Sequence, residues 1–126
     1  MANLLNWLPL KIKQRKREAL LRGAAGWPVT TAKLLKSTVV PKDPLAEGGT
    51  AFQDSQVESP YYFVLPAGYF GGHARSVPLS DSEAHRLLRL LPEDTEINVR
   101  YNPANSDETA TLPGDNPGFA MTIWAG

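Results

Sequence analysis

YYFVLPAGYFGG, residues 61–72, is the stretch that decides the fold. An aromatic run, a Pro66-Ala67-Gly68 turn and a second aromatic run form the pattern of a β-hairpin. Proline presets φ early in such a turn, and glycine accepts the positive φ that a tight return needs. The paired Gly71 and Gly72 predict a bulge or bend in the second strand. Working outward, residues 96–105 read EINVRYNPAN. Here Ile97, Val99 and Tyr101 face one way, and Glu96, Asn98 and Arg100 the other. Asn102-Pro103 then ends the ladder, because proline has no amide to donate. Together the two stretches specify an antiparallel β domain.

The clearest helix is residues 80–91. Ser80 and Glu83 form a capping box, Ala84, Leu87, Leu88 and Leu91 make the buried stripe, and Pro92 blocks continuation. Residues 28–40, rich in β-branched side chains and ended by Pro41, predict one long strand. Residues 41–59 carry two prolines, paired glycines and scattered acids, which predicts a long flexible loop. Short strands are expected at 109–112 and 119–124. The fold class is therefore mainly β (α+β). The expected architecture is a small antiparallel β barrel or curved sheet of five or six strands, one open end capped by helix 80–91.

At the N-terminus, residues 4–24 predict a further helix lying outside the sheet. Leu5, Leu8, Ile12, Ala19 and Leu20 fall near one face, while Lys13, Arg15, Lys16 and Arg17 crowd the others. Pro9 suits the first turn, and Gly23 and Gly26 suit the end. The chain thus divides into a basic amphipathic helix, 1–26, and a single β-rich domain, 27–126.

The charges follow the same division. Lys plus Arg and Asp plus Glu each number 13, for a net charge of +0. Residues 1–42 hold nine of the bases and one acid, Glu18, whereas residues 43–126 hold four bases and 12 acids. This is a basic arm on an acidic body. At 126 residues the chain is long enough to bury a core without staples, and its lack of cysteine excludes disulfides, thiolate metal sites and thiol nucleophiles. No stretch reaches the roughly 20 apolar residues of a membrane span. In MANLLNWLPL the apolar run precedes the charges, the reverse of a signal peptide. The expected location is cytoplasmic, at most peripheral to a membrane.

In their order, four landmarks resemble a bacterial family of uncharacterised domains usually found beside transmembrane helices. They are Trp27-Pro28-Val29-Thr30, the hairpin at 61–72, the helix at 80–91, and Val99-Arg100-Tyr101-Asn102-Pro103-Ala104-Asn105. The resemblance spans residues 27–112. It implies a β-rich fold and a membrane-side setting, and it carries no catalytic residues. The chain departs from that pattern at Ser106, where proline is usual, and in having no flanking transmembrane helix.

The candidate interaction surface is Trp7, Lys11, Lys13, Arg15, Lys16, Arg17 and Arg22. Basic side chains of this kind neutralise anionic lipid, and a tryptophan among leucines can enter the interface. The same charges suit nucleic acid, but residues 61–73 interleave no base among their aromatics, which disfavours it. A wet helix face packed on the domain or on a partner subunit is the plainer alternative. Aromatic pairs in the hairpin read as sheet stabilisers rather than a base-stacking platform. Gly71-Gly72-His73 lacks the lysine and the following helix of a phosphate loop. His85 shares a helix face with Asp81 and Arg89, which reads as a solvated ion-pair stripe. Glu93, Asp94 and Glu96 lack the spacing of a calcium loop. Ser76, His73 and Asp81 can be assembled into a triad only on paper. The expectation is a non-enzymatic interaction module without metal or cofactor. Its partner is an unknown protein or an anionic membrane, with nucleic acid as the lesser alternative and pairing of copies through a bare edge strand open.

Overall fold

Strand β3, Ser55–Leu65, organises the sheet because its side chains alternate between two environments. Val57, Ser59, Tyr61 and Phe63 are buried, whereas Glu58, Pro60, Tyr62 and Val64 are partly or fully exposed. The computed structural model describes the backbone of residues 4–46, 48–122 and 124–125, and the side chains of residues 11–20, 22–46, 48–122 and 124. On one edge β3 pairs with β4, Gly68–Arg75, from Leu65↔Gly68 to Glu58↔Arg75. This is the hairpin expected from the sequence, with Gly68 at φ 136° in the turn. No bulge forms at the paired glycines, since Gly71 and Gly72 keep register with Tyr62 and Tyr61. Glycine is needed at 71 for a different reason. A Cβ there would lie 2.6 Å from the Tyr61 carbonyl oxygen.

On its other edge β3 pairs with two short strands rather than one long one. β1, Val29–Leu34, meets Tyr61 and Tyr62, and β2, Thr38–Pro41, meets Ser55 to Glu58. The predicted strand at 28–40 is thus interrupted at 35–37. Pro60 stands opposite the gap, and with no amide to donate it only accepts, from Leu35 N at 2.7 Å. Ser37 turns inward to share a 2.7 Å hydrogen bond with Ser59. β3 also begins earlier than expected, so residues 55–59 are strand and the loop shrinks to 42–54. That loop is tied down. Lys42 N donates to Asp54 O, Asp43 N to the Gln56 Oε1, and Leu45 N to Asp43 Oδ1. Gly49 sits at φ 79°, and a Cβ there would lie 2.8 Å from the Pro78 Cβ.

β1 pairs along its length with β5, Glu96–Asn102, and β5 with β6, Asn105–Thr111. A two-residue β7, Trp124–Ala125, adds to β6. The same C-terminal segment reaches the far end of β4. Ser76 bridges Met121, and Thr122 N donates to Arg75 O at 3.0 Å. The result is one curled antiparallel sheet, of six strands when β1 and β2 are counted as one interrupted strand. Helix α2, Asp81–Arg89, packs on β2 and β3. Its capping box is formed as expected, and the hydrogen bonds from Ser80 hold the Glu83 carboxyl below its usual range.

Phe63 is the centre of the core, with ring centroids 6.5 Å from Tyr61, 6.0 Å from Phe70 and 5.8 Å from Tyr101. Tyr61 is 2% exposed and donates its hydroxyl to Thr109 Oγ1 at 2.7 Å, tying β3 to β6 across the curl. Burial raises its pKa from 10.0 to about 12, against the lowering effect of that hydrogen bond. The folded state therefore holds this proton more tightly than the unfolded chain. The stability it contributes is complete below pH 10 and is lost as pH rises toward about 12, a loss of about 2–3 kcal/mol. Urea unfolding between pH 9 and 12 should show this decline, and Tyr61→Phe should flatten it.

Candidate functional site

Helix α1, Leu4–Ala24, is 21 residues long, which at 1.5 Å per residue makes a rod of about 30 Å. Of the apolar stripe expected from the sequence, Leu20 turns toward the sheet and Ile12 and Ala19 do not, while the side chains of Leu5 and Leu8 lie outside the described residues. Ile12 is 52% exposed and Ala19 is exposed as well. Among the described side chains of α1, those that lose solvent are Gln14, Arg17, Leu20 and Ala24, spaced by three, three and four residues. The reason lies in what faces Arg17 at that point, which is the indole ring of Trp124 on the sheet and the carboxylate of Asp43 in the 42–54 loop.

The Arg17 guanidinium stands 4.1 Å from the centroid of the Trp124 ring, and the Arg75 guanidinium 4.4 Å from the same centroid. Asp43 lies 3.6 Å from both arginines, through Oδ1 to Arg17 and Oδ2 to Arg75. Arg75 also makes a 2.6 Å ion pair with Glu58, which lies 3.4 Å from His73 Nδ1. Two cations and two anions thus meet around one buried indole, with a histidine at the rim. They come from α1, the 42–54 loop, β3, β4 and β7. Arginine suits this position, since its flat guanidinium stacks on aromatic rings and forks to carboxylates at once. The Nε of Arg75 is buried with no partner among the described residues.

A second contact fixes the foot of the helix. Arg100 forks onto Asp115 at 2.8 and 3.0 Å and donates to the backbone carbonyl of Ala25 at 2.7 Å. The hydrogen bond between them raises the Arg100 pKa and lowers that of Asp115. The polar face of β5, legible as alternation, is therefore the clamp that orients the exit from α1.

Of the candidate residues, Lys11, Lys13, Arg15, Lys16 and Arg22 are exposed. Lys11, Arg15, Glu18 and Arg22 recur at helical spacing along one face, and Ile12, Lys16 and Ala19 along the next. Arg17 is the exception, turned inward with its side chain 22% exposed. The Trp7 side chain lies outside the described residues. Sequence reasoning missed Asp43, Glu58, Arg75 and Trp124. Only the cross-strand pair Glu58↔Arg75 had any signal, since opposite charges on one sheet face attract.

The paper triad is not brought together. Ser76 Oγ accepts from Val57 N and donates to Val77 O, while Asp81 faces His85. A shallow apolar recess with a volume of about 10 Å³ opens to solvent between α2 and residues 119–121, lined in part by Leu87, Leu91, Phe119 and Met121. The two serine hydroxyls in its wall, Ser59 and Ser76, are already hydrogen-bonded within the fold. Among the described residues no group of three or more His, Asp or Glu is placed to hold a metal ion. No helix among them is long and apolar enough to cross a membrane. No protein-family model, curated protein or solved structure matches this chain.

Proposed function

We propose that this chain is a non-enzymatic interaction module that docks on an anionic membrane surface, or on a membrane complex, through the outward face of α1. One observation carries the reading. The helix turns Arg17 toward the sheet and is clamped at its foot through Ala25, which leaves Lys13, Arg15, Lys16 and Arg22 facing solvent beside an exposed Ile12. A basic face next to an exposed aliphatic side chain suits lipid headgroups, each cation contributing ~1 kcal/mol near such a surface. The resemblance to domains found beside transmembrane helices favours the same setting.

Vesicle co-sedimentation tests it. The full chain should bind phosphatidylcholine vesicles containing phosphatidylserine and ignore vesicles of phosphatidylcholine alone. Replacing Arg15 and Lys16 with glutamine removes two outward charges, an expected loss of about 2 kcal/mol or roughly 30-fold in binding. Undiminished binding by the double variant, or equal binding to neutral vesicles, would sink the reading. Salt-sensitive binding to single-stranded RNA with none to vesicles would move it to nucleic acid.

A further inference from the structure

Among the described residues, the contact between α1 and the sheet is uneven along the helix from 11 to 24. Its foot is buried and clamped: Ala24 is 0% exposed, and Arg100 holds the Ala25 carbonyl. Further up, the inward contacts include Arg17, whose partners are one ring and one carboxylate 3.6 Å away. Both Arg17 and Asp43 keep access to water, at 22% and 17% of their side chains. At 3.6 Å this pair is looser than the 2.6 Å pair of Arg75 with Glu58, and salt weakens it further. Below it, the chain leaves the helix through Gly26, where the nearest atom to an added Cβ is 3.7 Å away.

From this geometry we propose that α1 is a strap, hinged at its clamped foot and latched by Arg17 on Asp43 and Trp124. The proposal rests on the membrane reading above and names its regulation. In the latched state Arg17 shares the Asp43 carboxylate with Arg75 and is withheld from any external anion. In the released state Arg17 joins the outward cations and Leu20 loses its cover, so both the charge and the apolar area offered to a lipid surface increase. An anionic surface therefore competes with Asp43 for one guanidinium. The body does not depend on the latch, since Arg75 keeps Glu58 and its own contact with Trp124 when Arg17 leaves.

The test uses the full chain and Asp43→Asn, which removes the anion and leaves every α1 charge in place. Asparagine also keeps an oxygen to accept from Leu45 N. Hydrogen exchange read by mass spectrometry should show residues 11–22 exchanging at least tenfold faster in D43N, with β3 to β6 unchanged. The unmodified protein should show the same change between 50 and 500 mM NaCl. D43N should also bind phosphatidylserine-containing vesicles several-fold more tightly. If D43N misfolds, its strands will exchange as well, and the salt series on the unmodified chain then decides alone. Unchanged α1 exchange in the variant and across the salt series would overturn the latch. A released helix with unaltered vesicle binding would overturn its regulatory role. No vesicle binding by any form would end the membrane reading, while the exchange result would still decide the latch.

Discussion

Phe63→Ala should lower the unfolding free energy by about 3–5 kcal/mol, the usual cost of deleting a buried aromatic ring. Phe63 is 2% exposed and touches Tyr61, Phe70 and Tyr101, so its loss leaves a cavity bounded by three strands. The rings around it cannot collapse freely into that space. Tyr61 is tethered to Thr109, and Phe70 is paired opposite residue 63 in the hairpin. Denaturant unfolding followed by far-UV circular dichroism would measure the change. Phe63→Leu, which keeps most of the volume, should cost less than half as much. Equal costs would mean that packing around Phe63 is not what joins β3, β4 and β5.

Arg75→Ala is expected to cost about 2–4 kcal/mol, the figure for a broken buried pair discounted for residual solvent. The arginine side chain is 18% exposed, and Glu58 and Asp43 keep 23% and 17%. Removing it leaves the Glu58 carboxylate without its arginine and Asp43 with Arg17 alone. Trp124 also loses a cation over its ring, a contact of about 0.5–2 kcal/mol. Arg75→Lys keeps the charge without the flat fork, so it should recover part of the loss. Glu58→Gln in the Arg75→Ala background should recover some as well, because it removes one unpaired charge. A double variant no more stable than Arg75→Ala would show that Glu58 carries no penalty when left alone. These substitutions lie in the body, so α1 should loosen with Arg75→Ala more than with Phe63→Ala at equal destabilisation.

The hairpin, the capped helix and the alternating strand at 96–102 were legible because each is written in a short window. Pro66-Ala67-Gly68 sets a turn, Ser80 and Glu83 close a cap, and Ile97-Val99-Tyr101 repeats every two residues. Errors arose where the deciding partner was distant. The break at 35–37 answers to Pro60, and the extension of β3 back to Ser55 answers to Thr38–Pro41 on the neighbouring strand. Arg17, assigned to the charged faces of α1, turns inward for the same reason. Periodicity ranks faces by hydrophobicity, and at Arg17 the fold presents an indole from the sheet and a carboxylate from the 42–54 loop, which suit an arginine.

Local pattern and composition determined the class of this protein: a mainly antiparallel sheet, one capping helix, and a basic arm opposed to an acidic body. These depend on backbone preference, side-chain period and total charge, all properties of neighbours along the chain. Tertiary structure alone decided which cation of the arm turns inward. Arg17, Asp43, Glu58, Arg75 and Trp124 are up to 107 positions apart, from 17 to 124. Their meeting depends on the curl that carries the C-terminal strand onto β4 beside the helix, and no window of sequence contains that geometry.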